Sequence, residues 1–78
     1  IDLDPKTNID NIFNILKKKY SEYDLNLIDG LKIDFDFGWV HLRRSNTEPI
    51  IRIYSESTSK EKSDSIAQEF INEIKEII

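Results

Sequence analysis

The chain has 78 residues, a net charge of −4 and no cysteine. A chain this short builds one small domain around one core. Its acidic balance argues against long-range attraction to nucleic acid or anionic membranes, and without cysteine it has neither a disulfide framework nor a thiolate zinc site. A hydrophobic fraction of 38% and a charged fraction of 33% belong to a folded globular chain. No apolar run reaches membrane-spanning length and no signal peptide is legible; the lack of cysteine fits a cytoplasmic protein. The first residue is Ile1 rather than Met, so residues 1–78 read as a single domain cut from a longer chain.

Residues 1–7 read as a lead-in, with room for a short strand. Thr7 is the expected N-cap of a first helix, with Asp10 three residues on as a weak capping box. Ile9, Ile12, Phe13, Leu16 and Tyr20 then recur at three- and four-residue steps, one apolar stripe over about three turns. Lys17, Lys18 and Lys19 read as a solvated helix end, where cations complement the helix dipole. Leu25 and Leu27 make a short alternating segment, and Asp29-Gly30 is a turn signal. Leu31, Ile33 and Phe35 alternate with Lys32, Asp34 and Asp36 in a strand with one buried face. The chain is expected to turn at Phe37-Gly38. Val40 and Leu42 alternate with Trp39, His41 and Arg43 in a second strand, and Ile51 and Ile53 with Arg52 and Tyr54 in a third. Thr58 and Glu61 are spaced as a capping box before a closing amphipathic helix carrying Ile66, Phe70, Ile74 and Ile77. The predicted fold class is therefore α+β: a small antiparallel sheet of three or four strands with two helices packed on one face.

All three arginines of the chain fall within ten residues, Arg43, Arg44 and Arg52, around Ser45-Asn46-Thr47-Glu48-Pro49. Planar guanidinium groups pair bidentately with phosphate in a way that lysine does not copy. Hydroxyls, a carboxamide and the N–H groups of a tight loop add neutral donors. Strand alternation points Arg43 and Arg52 to the same side, away from Ile51 and Ile53. A loop of this kind is suited to hold a phosphate. The blander reading pairs each arginine on the surface with Glu48, Asp34 or Glu56, and three guanidiniums around Ser-Asn-Thr weigh against it. Asp34 and Asp36 share a strand face but lack a third metal ligand and read as solvated. His41 has no nucleophile beside it and reads as structural or interdomain. Trp39 and Tyr54 read as packing against a neighbouring domain. No spacing of Ser, His and Asp points to a catalytic triad.

The run Arg43-Arg44-Ser45-Asn46-Thr47-Glu48-Pro49-Ile50-Ile51-Arg52 resembles the phosphate-binding loop of the α-D-phosphohexomutases, the phosphoglucomutase/phosphomannomutase family. Asp29 to Phe35, Gly38 to Arg43 and Ile53 to Ser57 are also similar to that family's C-terminal domain, strongly over residues 29–57 and loosely over 7–78. The resemblance implies a TATA-box-binding-protein-like sheet and the last domain of a four-domain cytoplasmic isomerase. That enzyme interconverts hexose 1- and 6-phosphates through a bisphosphate, with a phosphoserine and Mg2+ supplied by other domains. It implies that Arg43, Ser45, Asn46 and Thr47 contact the substrate phosphate with Arg52 in support, and that this domain alone is inactive and holds no metal. Arg44 departs from the family pattern, which often has a small residue there, and reads as a rim charge. The expected partners are a phosphorylated hexose and the other domains of the parent chain, with neither nucleic acid nor membrane. Two readings from other classes stay open: an RNA-binding α+β module displaying Trp39 and Tyr54 beside arginines, and a purely structural interdomain module.

Overall fold

A computed structural model describes residues 3–45 and 48–78. Asn46 and Thr47, two of the expected phosphate contacts, lie outside the described residues. The elements run α1 (Ile9–Lys19), β1 (Asp24–Asn26), β2 (Leu31–Phe35), β3 (Gly38–Arg44), β4 (Ile51–Ser57) and α2 (Lys60–Ile77). The four strands pair in sequence order, each antiparallel to the next. This is the α+β architecture that the alternating segments and two apolar stripes predict, with four strands.

Both helices start one residue later than the cap pattern predicts. Thr7 spends its N–H on the carbonyl of Asp4 at 2.8 Å, inside the preceding turn. Asn8 is the N-cap, and its side chain accepts the Asn11 N–H at 3.0 Å. Thr58 likewise donates its N–H to the carbonyl of Phe37 at 3.0 Å and is held against the β2–β3 hairpin. Ser59 caps α2 instead, its hydroxyl accepting the Lys62 N–H at 3.2 Å. The hairpin turn is also shifted: Phe35 pairs with Gly38, so Asp36 and Phe37 form the turn and Gly38 opens β3. Gly38 has φ +155°, and a Cβ there would collide with the carbonyl oxygen of Glu56 on β4.

One face of the sheet carries Leu31, Ile33, Val40, Leu42 and Ile51, all at 1% exposure or less. Ile12 and Leu16 of α1 and Phe70 and Ile74 of α2 join the same cluster, so both helices cover that one face. Each such side chain contributes about 1.5–3 kcal/mol by leaving water. The end of α1 is fastened to α2 through Glu73. The Tyr20 hydroxyl donates to both carboxylate oxygens of Glu73, at 2.9 and 2.8 Å, and Lys19 pairs with the same group. The Tyr20 ring stacks on Phe70 with centroids 5.1 Å apart. Burial, then the hydrogen bond to Glu73, pushes the Tyr20 phenol above its ordinary value. The hydrogen bond to Glu73 likewise raises the Lys19 ammonium.

Among the described residues, the other face of the sheet carries no helix. It presents Lys32 and Asp34 from β2, Trp39, His41 and Arg43 from β3, and Arg52, Tyr54 and Glu56 from β4. Among the described residues, no helix is long and apolar enough to cross a membrane.

Candidate functional site

The register of β3 and β4 decides where the arginines go. Arg43 and Arg52 are direct Cα partners, so their side chains leave the sheet on the same open face. Arg44 pairs with Ile51 and points the other way, toward the helices. There it forms an ion pair with Asp10 in the first turn of α1. Arg44 is thus a tie between sheet and helix rather than a rim charge.

Two like charges directly opposite each other on a sheet are a destabilising pair. Among the described residues Arg43 has one carboxylate in ion-pair distance, Asp29, with Nη2 to Oδ2 at 3.1 Å. Arg52 has no carboxylate within ion-pair distance among the described residues. The pair therefore carries excess positive charge at one end of the open face, in a chain that is acidic as a whole.

The loop beyond is closed at its base. The Ser45 N–H donates to the carbonyl of Ile50 at 3.2 Å, and the Ser45 hydroxyl accepts the Glu48 N–H at 3.3 Å. The Ile50 N–H donates to the Glu48 carbonyl at 2.9 Å, and Leu3 reaches across to the Pro49 carbonyl with its own N–H at 2.7 Å. Pro49 lacks an N–H of its own and fixes the local φ. These bonds seat Ser45 directly after the arginine rung. Glu48 is exposed and forms no ion pair among the described residues.

Among the described residues, none of the carboxylates expected as surface partners for the arginines takes that part. Asp34 and Glu56 both flank Trp39 in the register. That rung lies four residues from Arg43, ~13 Å along the strand. Asp34 approaches Lys32 instead, at 3.8 Å. Lys32 also stands over the Trp39 ring, 5.1 Å from its centroid. The partner found for Arg43, Asp29, was visible in the sequence only as a turn residue. With Phe35 opposite Gly38, counting back along the hairpin brings the Asp29-Gly30 turn level with Arg43 and Arg44. His41 occupies the next rung on the open face, opposite Tyr54, and its Nε2 meets the backbone carbonyl of Asp29.

A cleft of about 420 Å³ lies at the far end of the sheet, lined among others by Asp34, Asp36, Trp39 and Glu56. Its three carboxylates disfavour an anion. Asp34 and Asp36 have no third ligand: among the described residues no group of three His, Cys, Asp or Glu is placed to hold a metal ion. The magnesium that the resemblance implies does not fit these residues.

The family model for the phosphoglucomutase/phosphomannomutase C-terminal domain matches residues 4–73. The chain is 47% identical over 60 residues to a phosphoglucomutase/phosphomannomutase of Thermococcus kodakarensis, covering 77% of this chain and 13% of that protein. It is 35% identical over 80 residues to a phosphoglucosamine/phosphogalactosamine mutase of Sulfurisphaera tokodaii, covering 100% of this chain and 17% of that protein. A probable phosphoglucosamine mutase of Methanopyrus kandleri is 36% identical over 55 residues, 70% of this chain and 12% of that protein. The chain thus spans less than a fifth of the length of the relatives it matches.

Proposed function

The chain belongs to the phosphoglucomutase/phosphomannomutase family as its C-terminal domain, and from that footing we propose that its arginine rung and loop grip the phosphate of a phosphorylated sugar. The observation that carries this reading is the cross-strand pairing of Arg43 with Arg52. Two guanidiniums side by side are unfavourable on their own and favourable around a dianion, which accepts several charge-assisted hydrogen bonds. Ser45 lies next to the rung, and Asn46 and Thr47 follow it in sequence. The phosphate held here is the one that is not transferred.

The reaction is an interconversion of hexose 1- and 6-phosphates through a bisphosphate. In it, this domain supplies orientation and charge neutralisation while phosphoryl transfer takes place on other segments of the enzyme. Any magnesium that the reaction requires would be held by residues outside this domain, where it would supply charge to the transferring phosphoryl group. The relatives carry names of both hexose and hexosamine mutases, and selection among these sugars is assigned to segments beyond this chain. Closure of the domain over the sugar brings the rung to the phosphate.

The test is kinetic and uses the parent enzyme. Hydrogen bonds to a charged group are worth about 1.5–3 kcal/mol, so Arg43→Ala should lower kcat/KM roughly 10- to 150-fold. KM for glucose or mannose phosphate should rise, and kcat should fall as well. Unchanged kinetics would remove the rung from the active cleft.

A further inference from the structure

We propose that Asp29 is a positioning residue for the phosphate grip: it holds the Arg43 guanidinium beside Arg52 before the anion arrives. This deepens the reading above and rests on it. Three observations converge on the Asp29-Gly30 turn. The carboxylate of Asp29 lies 3.1 Å from Arg43 Nη2. The backbone carbonyl of Asp29 is met by His41 Nε2, from the neighbouring rung of the same face. Gly30 has φ +79°, and a Cβ there would collide with the carbonyl oxygen of Leu42, the residue before Arg43. The turn is therefore pressed onto β3 just where Arg43 leaves it. Glycine alone permits both that backbone conformation and that approach.

The pair is a poor stabiliser of the fold. The two side chains are 47% and 64% exposed, and ion pairs in such positions contribute little. What Asp29 supplies is direction. Arginine is long and loses much rotamer freedom when it is fixed. A partner already anchored through its own backbone removes part of that cost from the binding step. Arginine has five N–H donors, and Asp29 engages one nitrogen, so donors remain for a phosphate. Asp29 also offsets one of the two like charges on the rung, which lets Arg43 and Arg52 stand side by side while no anion is bound. Its own repulsion of the incoming dianion acts below the screening length of about 8 Å at physiological salt and is only partly damped, so the titration below reads the ordering gain net of that repulsion.

The experiment titrates this chain with inorganic phosphate in about 0.15 M sodium chloride, following amide and arginine Nε–Hε resonances of wild type, Asp29→Asn, Asp29→Glu and Arg43→Ala. Asp29→Asn should weaken phosphate binding about two- to fivefold, the range set by an exposed ion pair. It should also move the Arg43 Nε–Hε resonance of the free protein toward the position of a mobile arginine. Asp29→Glu should restore both. Unchanged or tighter phosphate binding in Asp29→Asn, with Arg43→Ala still abolishing it, overturns the role of Asp29 and leaves the phosphate site standing. Phosphate shifts that survive Arg43→Ala overturn the phosphate site and this inference together.

Discussion

Arg52→Gln separates what the arginine rung costs the fold from what it does for a ligand. Arg43 and Arg52 are directly opposed, and Arg52 has no carboxylate partner among the described residues. Two unit charges ~7 Å apart in a water-like dielectric repel by about 0.6 kcal/mol, an upper value here because Asp29 offsets part of the Arg43 charge. Glutamine keeps much of the length of the side chain and removes the charge. In dilute sodium chloride the variant should therefore be more stable than wild type, with Tm raised by up to about 5 °C for a domain of this size. In molar chloride, where the screening length is about 3 Å, the difference should vanish. Phosphate at matched ionic strength should reverse the order. At ten times Kd a ligand that binds the native state alone adds about 1.4 kcal/mol, so wild type should gain about 6–11 °C and the variant much less. Thermal melts followed by circular dichroism in the two salts read both effects. A variant that is less stable than wild type in dilute chloride, or that gains as much from phosphate, would refute the argument.

Two further predictions concern the fold. Phe70 is fully buried in the core cluster and stacked on Tyr20, so Phe70→Ala should cost about 3–5 kcal/mol. Against an expected total of about 4–12 kcal/mol for this length, urea or thermal denaturation should show a large loss of stability, up to complete unfolding; a loss under 1 kcal/mol would place Phe70 outside the core. The Tyr20 phenol is raised above its ordinary value in the folded state by burial and by its bond to Glu73. Its contribution is then fully present below pH ~10, the ordinary tyrosine value, and is lost as pH climbs from there toward the raised folded value. Tyr20→Phe should cost about 1 kcal/mol at neutral pH, and the gap to wild type should shrink in urea titrations above pH ~10. A gap that stays constant with pH would contradict that coupling.

The fold was legible because its two periodicities are clean. Leu31 and Ile33, Val40 and Leu42, and Ile51 and Ile53 alternate, while Ile12 and Leu16, and Ile66, Phe70 and Ile74, recur at helical steps. The buried face follows from those patterns. Cap positions were less legible, because Thr7-Asn8 and Thr58-Ser59 each offer two competent cappers in succession. The choice is made by where the first residue of each pair spends its own N–H, on Asp4 or on Phe37, and that is a tertiary fact. The shared direction of Arg43 and Arg52 could be read from alternation. Their partners could not. Asp29 reaches Arg43 through hairpin register, and Asp10 reaches Arg44 through the docking of α1 on the sheet. Arg43 and Arg44 are adjacent in sequence and alike in chemistry, yet alternation sends one to the open face and the other to the helices.

The phosphate grip is tested most directly by titrating this chain with glucose 6-phosphate, and with glucose as the control, while recording backbone and arginine side-chain resonances. The account predicts saturable shifts centred on residues 43–52 with a Kd on the order of millimolar. It also predicts no response to glucose, and a response retained in Arg44→Ala, whose guanidinium faces Asp10 on the helix side. Shifts centred on the acidic cleft around Asp34 and Glu56, or equal responses to glucose and to its phosphate, would contradict it.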